Sequence, residues 1–572
     1  MTTATTERQR RGVGDRLLTT IERWGNKLPE PFTLFLVLLL ITGVISTAMA
    51  LADVAVTVPG TEDGPIEIRG LFTGEGLAWF TSNLGPNFIG FPPLQTVLTI
   101  LLAVGVAEKT GMLAAVVRKS FGSAPRWMLP YVVGIVGVTG SVMADSAFII
   151  IPPLAALVFK AAGRHPVAGL LGGFAAVGAG YSTALVPTSL DALFAGITTG
   201  VMESLPGIET TPVNPVSNYY FNVVAALLLG MVCGFIIDRI LEPRMVRQDV
   251  PTRQVDVGDD DEEVAGPSAE EGEGRSDGRR EVARREVGRG HAASGDEAVD
   301  VEAPNDADTQ GDTVDPELSA VETRGLWWSL AAAGLLTVVV LGALLVPASP
   351  WRNEEGGFLP SSPLLDSIVF LVFAYFMTMG VVYGRVVGTV SGMGDIVRMM
   401  SSAVKDMMSF LILAFVLGQF IALFNWTGIG AWIAVNGAAG LEASGLTGFP
   451  AVLGFILLAS CLNLFIVSGS SMWTIMAAVF VPMFALIGLE PAFTQAAFRV
   501  GDSATQIVTP LNPYMIVILG LLRRYEPDAG LGTVIARLVV FVVPFWVSWA
   551  ALVGIWYFFD LPLGPGNGIF LP

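Results

Sequence analysis

Gly140-Ser-Val-Met-Ala-Asp-Ser146, followed by Pro153, and Gly469-Ser-Ser-Met-Trp-Thr474, followed by Pro482, are one polar interruption written twice inside apolar sequence, thirteen residues from glycine to proline each time. Each copy is followed by a second interruption, Gly180-Tyr-Ser-Thr-Ala-Leu-Val-Pro-Thr-Ser-Leu-Asp191 in the first half and Gly501-Asp-Ser-Ala-Thr-Gln-Ile-Val-Thr-Pro-Leu-Asn512 in the second. A glycine, a serine, a threonine and a leucine fall in register there, with Asp191 opposite Asn512. Paired, glycine-interrupted hydrophobic segments in corresponding positions of two halves point to the binding site of a secondary transporter.

The surrounding sequence sets the solvent. Of 572 residues 52% are hydrophobic and 14% charged, and the mean hydropathy is +0.63, the signature of an all-α polytopic membrane protein. The formal charge of -18 says little about a ligand, because about 14 of those units lie between Val246 and Arg324, leaving the membrane part close to neutral. Two cysteines, Cys233 and Cys461, suggest neither a disulfide framework nor a metal cluster, and His165 and His291 are too few for a relay. An intramembrane enzyme is disfavoured, since HExxH, a nucleotide-binding loop and a GxSxG elbow within any apolar segment are all missing from the sequence. Neither a cofactor nor a nucleic-acid partner is expected.

Apolar runs of spanning length fall near Pro31–Leu51, Pro92–Val106, Pro166–Ile197, Tyr219–Leu241, Leu326–Val346, Leu364–Val387, Met407–Phe424, Pro491–Leu522 and Val534–Phe559, about nine crossings. Two further stretches, 127–160 and 449–489, are each about one and a half spans long with a Gly-Ser tip in the middle, and fit re-entrant hairpins. The expected division is a cytoplasmic N-terminal segment (1–30), a first repeat (31–241) with its hairpin and a broken helix over 166–197, a disordered acidic linker (242–325), a second repeat (326–559) with its hairpin and a broken helix over 491–522, and an external tail (560–572). With the N-terminus cytoplasmic, Lys109, Arg118, Lys119, Arg126, Lys160, Arg164, Arg239, Arg244, Arg385, Arg398, Lys405, Arg523 and Arg524 fall inside, and only Arg69 and Arg352 outside. That layout gives the two hairpins opposite sides of access, an inverted repeat.

A broken membrane helix exposes amides at one half-helix end and carbonyls at the other, offering an anion site and a cation site. Ser141, Gly180, Ser182, Thr188, Ser470, Pro510 and Asn512 are the residue types that allow such breaks and satisfy them; ordinary kinks or small-residue packing are the competing explanation. Asp145, Asp191, Arg499 and Asp502 are the ionisable residues in this region, and each is costly in a bilayer unless paired or hydrated. Arg499 and Asp502, three apart, could pair on one helix face, or Arg499 could hold an anionic substrate while Asp502 exchanges a proton or helps bind a cation. Asp191, with Ser182 and Asn512, is a second candidate for cation coupling, a hydrogen bond to the break being its alternative. Sodium could bind near Gly180, Ser470 and Asn512. Trp473 at the second tip suits stacking on an aromatic ligand if its indole is exposed, and Asn425 could offer an amide to substrate or simply cap its helix.

The ordering Ser470, Trp473, Arg499, Asp502 and Pro510, with Asp191 after the first break and Phe424-Asn-Trp426, resembles the AbgT family of p-aminobenzoyl-glutamate transporters from about Arg23 to Phe559. The resemblance implies a homodimer in the bacterial inner membrane, in contact with lipid, with an architecture similar to the divalent-anion/sodium symporters. It also implies a small-molecule substrate, an aromatic amine joined to a dicarboxylate, and family members have been associated with sulfonamide export. Elevator-like transport driven by protons or sodium is expected; a sodium-coupled dicarboxylate symporter on the same architecture and an ion channel are the rivals. The long acidic loop departs from the family's compact connection. The charge layout has a direct check: alkaline phosphatase fused after Arg352 should be active and after Arg398 inactive, and the opposite result would invert both hairpins.

Overall fold

The computed structural model describes residues 29–59, 64–253 and 318–571. The segment before residue 29 and most of the expected acidic linker lie outside these residues.

Among the described residues nine α-helices precede residue 237: α1 (Pro31–Leu51), α2 (Gly74–Ile89), α3 (Pro92–Lys109), α4 (Met112–Gly122), α5 (Leu129–Thr139), α6 (Ser146–Ala161), α7 (Pro166–Ala179), α8 (Ser189–Met202) and α9 (Tyr219–Ile236); the expected linker is helical at both described ends, over Glu242–Arg247 and from Ala320 onward, and not disordered there. Then come α10 (Ala320–Leu345), α11 (Ile368–Val387), α12 (Met393–Asp406), α13 (Met408–Thr427), α14 (Ile429–Ser444), α15 (Phe449–Asn463), α16 (Gly469–Leu486), α17 (Pro491–Gln506), α18 (Tyr514–Arg523) and α19 (Leu531–Phe559). A small antiparallel pair, β1 (Ala55–Val56) with β2 (Ile66–Glu67), decorates the loop between α1 and α2. Among the described residues eight helices are long and apolar enough to cross a membrane, and α14 with α15, bent by 117°, makes up to nine. The protein is a polytopic α-helical membrane protein.

Proline and glycine decide where these helices start and stop. Pro31, Pro92, Pro166 and Pro491 each open a helix, where a missing N–H costs nothing. The Gly-Ser strings end them: α5 runs into a 3-10 turn at Gly140–Met143 before α6 begins, and α15 stops at Asn463 before Ser468 caps α16. The runs over 166–197 and 491–522 are each split, into α7 with α8 and α17 with α18.

The two breaks differ in register. α7 ends just before Gly180, whereas α17 continues through Gly501 to Gln506, so the aligned glycines do different work. A Cβ at Gly501 would lie 2.7 Å from the Ile456 carbonyl oxygen, so this glycine permits the contact of α17 with α15. Four helices fall where the sequence showed no spanning run. α4 and α12, of 11 and 14 residues, are too short to span; α2 carries Glu75, Asn83, Asn87 and Pro86, and α14 carries Asn436 and Glu442, which mask these two in hydropathy.

The core is built from the broken helices. Every residue of α7 and all but Thr505 of α17 are buried; α6 packs along α7, α5 along α9, and α15 and α19 against α17. Small residues allow this closeness, since packing rather than water exclusion holds helices together in lipid. A Cβ on Gly134 would fall on the Gly230 carbonyl, and one on Gly230 would sit 2.7 Å from the Ile135 Cα. The segment after α19 straps one end: Leu563 O accepts from the Tyr220 and Phe221 amides at 2.9 and 3.1 Å, and the Glu490 amide donates to Ile569 O at 2.9 Å. Gly230→Ala should overpack the α5–α9 contact by about 1–3 kcal/mol, read as a lower melting temperature of the purified protein, while Gly334→Ala, with open space around its Cβ, should be neutral.

Candidate functional site

The first break is held open by side chains from two other elements. Ser141, in the turn before α6, places its hydroxyl against the carbonyls of Gly180 and Thr183, the latter at 2.8 Å. Ser503 Oγ donates to Tyr181 O at 3.0 Å, and Arg499 Nη1 donates to Ser182 O. Ser182 itself sits at φ 59°, a left-handed conformation that a serine holds only where its surroundings fix it. At the far side of the break Thr188 and Asp191 form a capping box at the start of α8, with the Thr188 amide and hydroxyl donating to Asp191 Oδ2 at 2.8 and 2.7 Å.

Asp191 Oδ1 receives Asn222 Nδ2 at 3.0 Å and pairs with Arg499 Nη2 at 2.8 Å. Both ionic side chains are buried, Arg499 to 0% exposure and Asp191 to 2%. The Arg499 guanidinium also lies 5.3 Å above the Phe194 ring. Trp473 donates its indole N–H to Phe194 O at 3.3 Å and packs against Phe498 at 4.7 Å.

The second break has its own pin. Asn463 Nδ2 donates to Asp502 O and lies 3.1 Å from Thr505 Oγ1, while Thr509 Oγ1 donates to Asn463 O at 3.2 Å. Asn512 Oδ1 accepts from the Tyr514 amide at 3.0 Å. The Asp502 carboxylate, fully buried, has no hydrogen-bond partner on either oxygen among the described residues. It lies beside Gly469 and Tyr181, where a Cβ on Gly469 would be 3.0 Å from Asp502 Oδ2 and 2.6 Å from the Tyr181 ring.

Two cavities meet at this assembly and share Asp145, Phe148 and Tyr181 as a wall. The smaller, about 500 Å³, extends from Ser141 and Ser189 past Leu190 and Phe410 to Glu108 and Lys109. The larger, about 740 Å³, is lined by Ser468, Ser470, Gln506, Asn512 and Tyr514. Tyr514 stacks on Phe148 with ring centroids 4.7 Å apart and bonds Asp145, so the common wall is tied across the two halves. Both volumes suit a small organic ligand.

A profile of the AbgT transporter family matches residues 16–271 and 300–571. The chain belongs to the AbgT family. It is 32% identical over 556 residues to the p-aminobenzoyl-glutamate transport protein of Escherichia coli (strain K12), covering 96% of each chain. The Alcanivorax borkumensis YdaH transporter superposes with a TM-score of 0.78 at 30% identity, covering 94% of this chain and 100% of that one. Neisseria gonorrhoeae MtrF, described as illuminating a class of antimetabolite efflux pumps, gives 0.80 at 31% identity, covering 96% and 100%. This AbgT protein is accordingly a membrane transporter of small molecules and not an enzyme.

Three expectations need correction. Arg499 does not pair with Asp502 on its own helix; it reaches across to Asp191, because a countercharge and the Ser182 carbonyl acceptor are gathered at the first break. The Trp473 indole is not exposed at a tip but enclosed at 0% exposure between Phe194 and Phe498. Asn425 stands apart, donating to Gly200 O at 2.8 Å at the opposite end of α8 from Asp191. Ser141, Ser182, Thr188, Asp191, Arg499, Trp473 and Asp502 are brought into one connected cluster, Ser470 and Asn512 line the larger cavity, and Pro510 sits half-buried in the second break. Gly180 lines neither cavity, so it does not converge with Ser470 and Asn512. Among the described residues no group of three His, Cys, Asp or Glu gathers as for a metal ion.

Tyr181, Tyr514, Asn222 and Asn463 also belong to the site; the two asparagines are isolated polar residues in apolar helices and carry in sequence the signal of buried partners, which the tyrosines lack. Arg499→Ala should destabilise the protein by about 3–5 kcal/mol by leaving Asp191 without its countercharge. Arg499→Ala with Asp191→Asn should recover part of that loss in thermal unfolding, and strict additivity would deny the coupling.

Proposed function

We propose that this chain is a secondary active transporter of p-aminobenzoyl-glutamate or related aromatic folate catabolites and antimetabolites, sulfonamides among them. It works as a homodimer in the bacterial inner membrane, with its N-terminus cytoplasmic and its two repeats inverted. The observation that carries this reading is the pair of cavities joined at Asp145, Phe148 and Tyr181, beside breaks held by a buried Arg499–Asp191 pair. The stacked Phe148 and Tyr514 offer a surface for an aromatic ring. Hydroxyls of Ser470 and Ser189, the latter at the positive end of α8, offer donors to carboxylates. The relative from E. coli, named for p-aminobenzoyl-glutamate, supports the substrate class.

Coupling falls to Asp502, a buried carboxylate without a hydrogen-bond partner among the described residues, which takes up and releases a proton or sodium as the hairpin and broken-helix core shifts in an elevator-like movement. Asp191 instead serves as the fixed countercharge of Arg499. The aromatic wall favours this substrate over a plain dicarboxylate, which has no ring to stack.

Proteoliposomes with imposed proton or sodium gradients test the reading. Labelled p-aminobenzoyl-glutamate should accumulate against its gradient with the parent protein, and succinate and citrate should not compete. Asp502→Asn should lose gradient-driven accumulation by more than tenfold while keeping substrate exchange between the two sides. Equal accumulation by Asp502→Asn, or competition by succinate, would contradict the assignment.

A further inference from the structure

The smaller cavity ends at a feature that the proposed mechanism has not used. Glu108, in the last turn of α3, accepts from Ser146 Oγ at 2.5 Å. Ser146 is the first residue of α6, directly beyond the Gly140–Met143 turn, so this bond runs from a continuous helix to the tip of the first interruption. Glu108 makes no ion pair among the described residues, although Lys109 is its neighbour. Lys109 is engaged elsewhere, 2.8 Å from Asp406 at the end of α12.

The tip it holds is strained. Ala144 has φ 45° and ψ −127°, a backbone conformation that an alanine keeps only when the residues around it impose it. Other contacts between α3 and the elements of the first break are neutral: Thr96 Oγ1 donates to Ala192 O at 3.2 Å, and Gly196 lies against Pro93, where a Cβ would meet the Pro93 nitrogen at 2.6 Å. A hydrogen bond to a carboxylate is about twice as strong as a neutral one. The Lys109–Asp406 pair has side chains 35% and 59% exposed, and such surface pairs contribute little. Among the contacts that α3 makes with the first interruption, Glu108 is therefore the one most able to set where the tip rests against that helix.

We infer that Glu108 is a positioning residue for transport: by accepting the Ser146 hydroxyl it latches the tip of the first interruption to α3 at the floor of the smaller cavity, and the latch must open for the core to move. This rests on the alternating-access reading above.

Cross-linking in the full-length protein tests it. With Cys233 and Cys461 replaced by alanine, Glu108→Cys/Ser146→Cys would be bridged by a short, reducible bis-methanethiosulfonate reagent. Bridging should lower p-aminobenzoyl-glutamate flux more than tenfold and reduction should restore it, while each single-cysteine variant treated with the same reagent keeps its flux. A bridged protein that transports at the parent rate would overturn the latch, and so would failure of the two cysteines to bridge. A second readout needs no transport. Met143, 4% exposed at the tip, becomes a reporter as Met143→Cys; Glu108→Ala should speed its alkylation about tenfold, the effect of losing a hydrogen bond to a charged group, and Glu108→Gln, which keeps an acceptor, should restore slow labelling. Equal labelling in all three backgrounds would reject the latch even if transport were absent. A parent protein that moves no substrate would count against the substrate assignment alone.

Discussion

A guanidinium with no solvent exposure inside a membrane protein must find acceptors for its charge within the fold, and the rest of this site is arranged by how Arg499 finds them. One arm goes to the Ser182 carbonyl and the other to Asp191, while the flat face rests over Phe194. Each acceptor is fixed in turn: Ser182 by its left-handed backbone, Asp191 by Thr188 and Asn222, Phe194 by the indole of Trp473 on its carbonyl. Removing one partner of such a pair is costly because the other is left charged in a low-dielectric interior. The break in the first half thus has its shape imposed from the second.

Around that link the two interruptions are pinned by different chemistry. Ser141 gathers carbonyls of the first break from a short hydroxyl, whereas Asn463 spans the second with a longer amide. The difference follows from helix length, since α17 runs on past the position where α7 has stopped. Tyr514 then crosses back to Phe148 and Asp145, so each half supplies part of the wall between the cavities. Rigid pins at the breaks and an open wall between them fit a site whose ligand meets preformed groups.

Much of this was legible in the residues themselves. Helix breaks are announced by glycine, proline and hydroxyl residues because these change the local backbone, and a local cause leaves a local trace. Partner choice leaves none. The spacing of Arg499 and Asp502 is favourable on an isolated helix, yet the decisive acceptor comes from α8, in the other half of the chain. Trp473 is polar enough at one edge to suit a cavity, but its only need, one acceptor for its N–H, is met by Phe194 inside the core. Helices α2 and α14 escaped notice because amide and acidic side chains lower their hydropathy, although Gln419 in α13 bonds Asn87 of α2 at 3.0 Å and absorbs part of that polarity.

The order of synthesis gives the Asp191 capping box a second meaning. α8 and α9 leave the ribosome well before α17, so the carboxylate is made before the arginine that will neutralise it. Thr188 and Asn222, its other two partners, belong to the same early segment. They supply hydrogen bonds to the acid from its own neighbourhood, so the chain segment that carries the buried carboxylate also carries two of its three partners, and only the counterion has to come from later sequence.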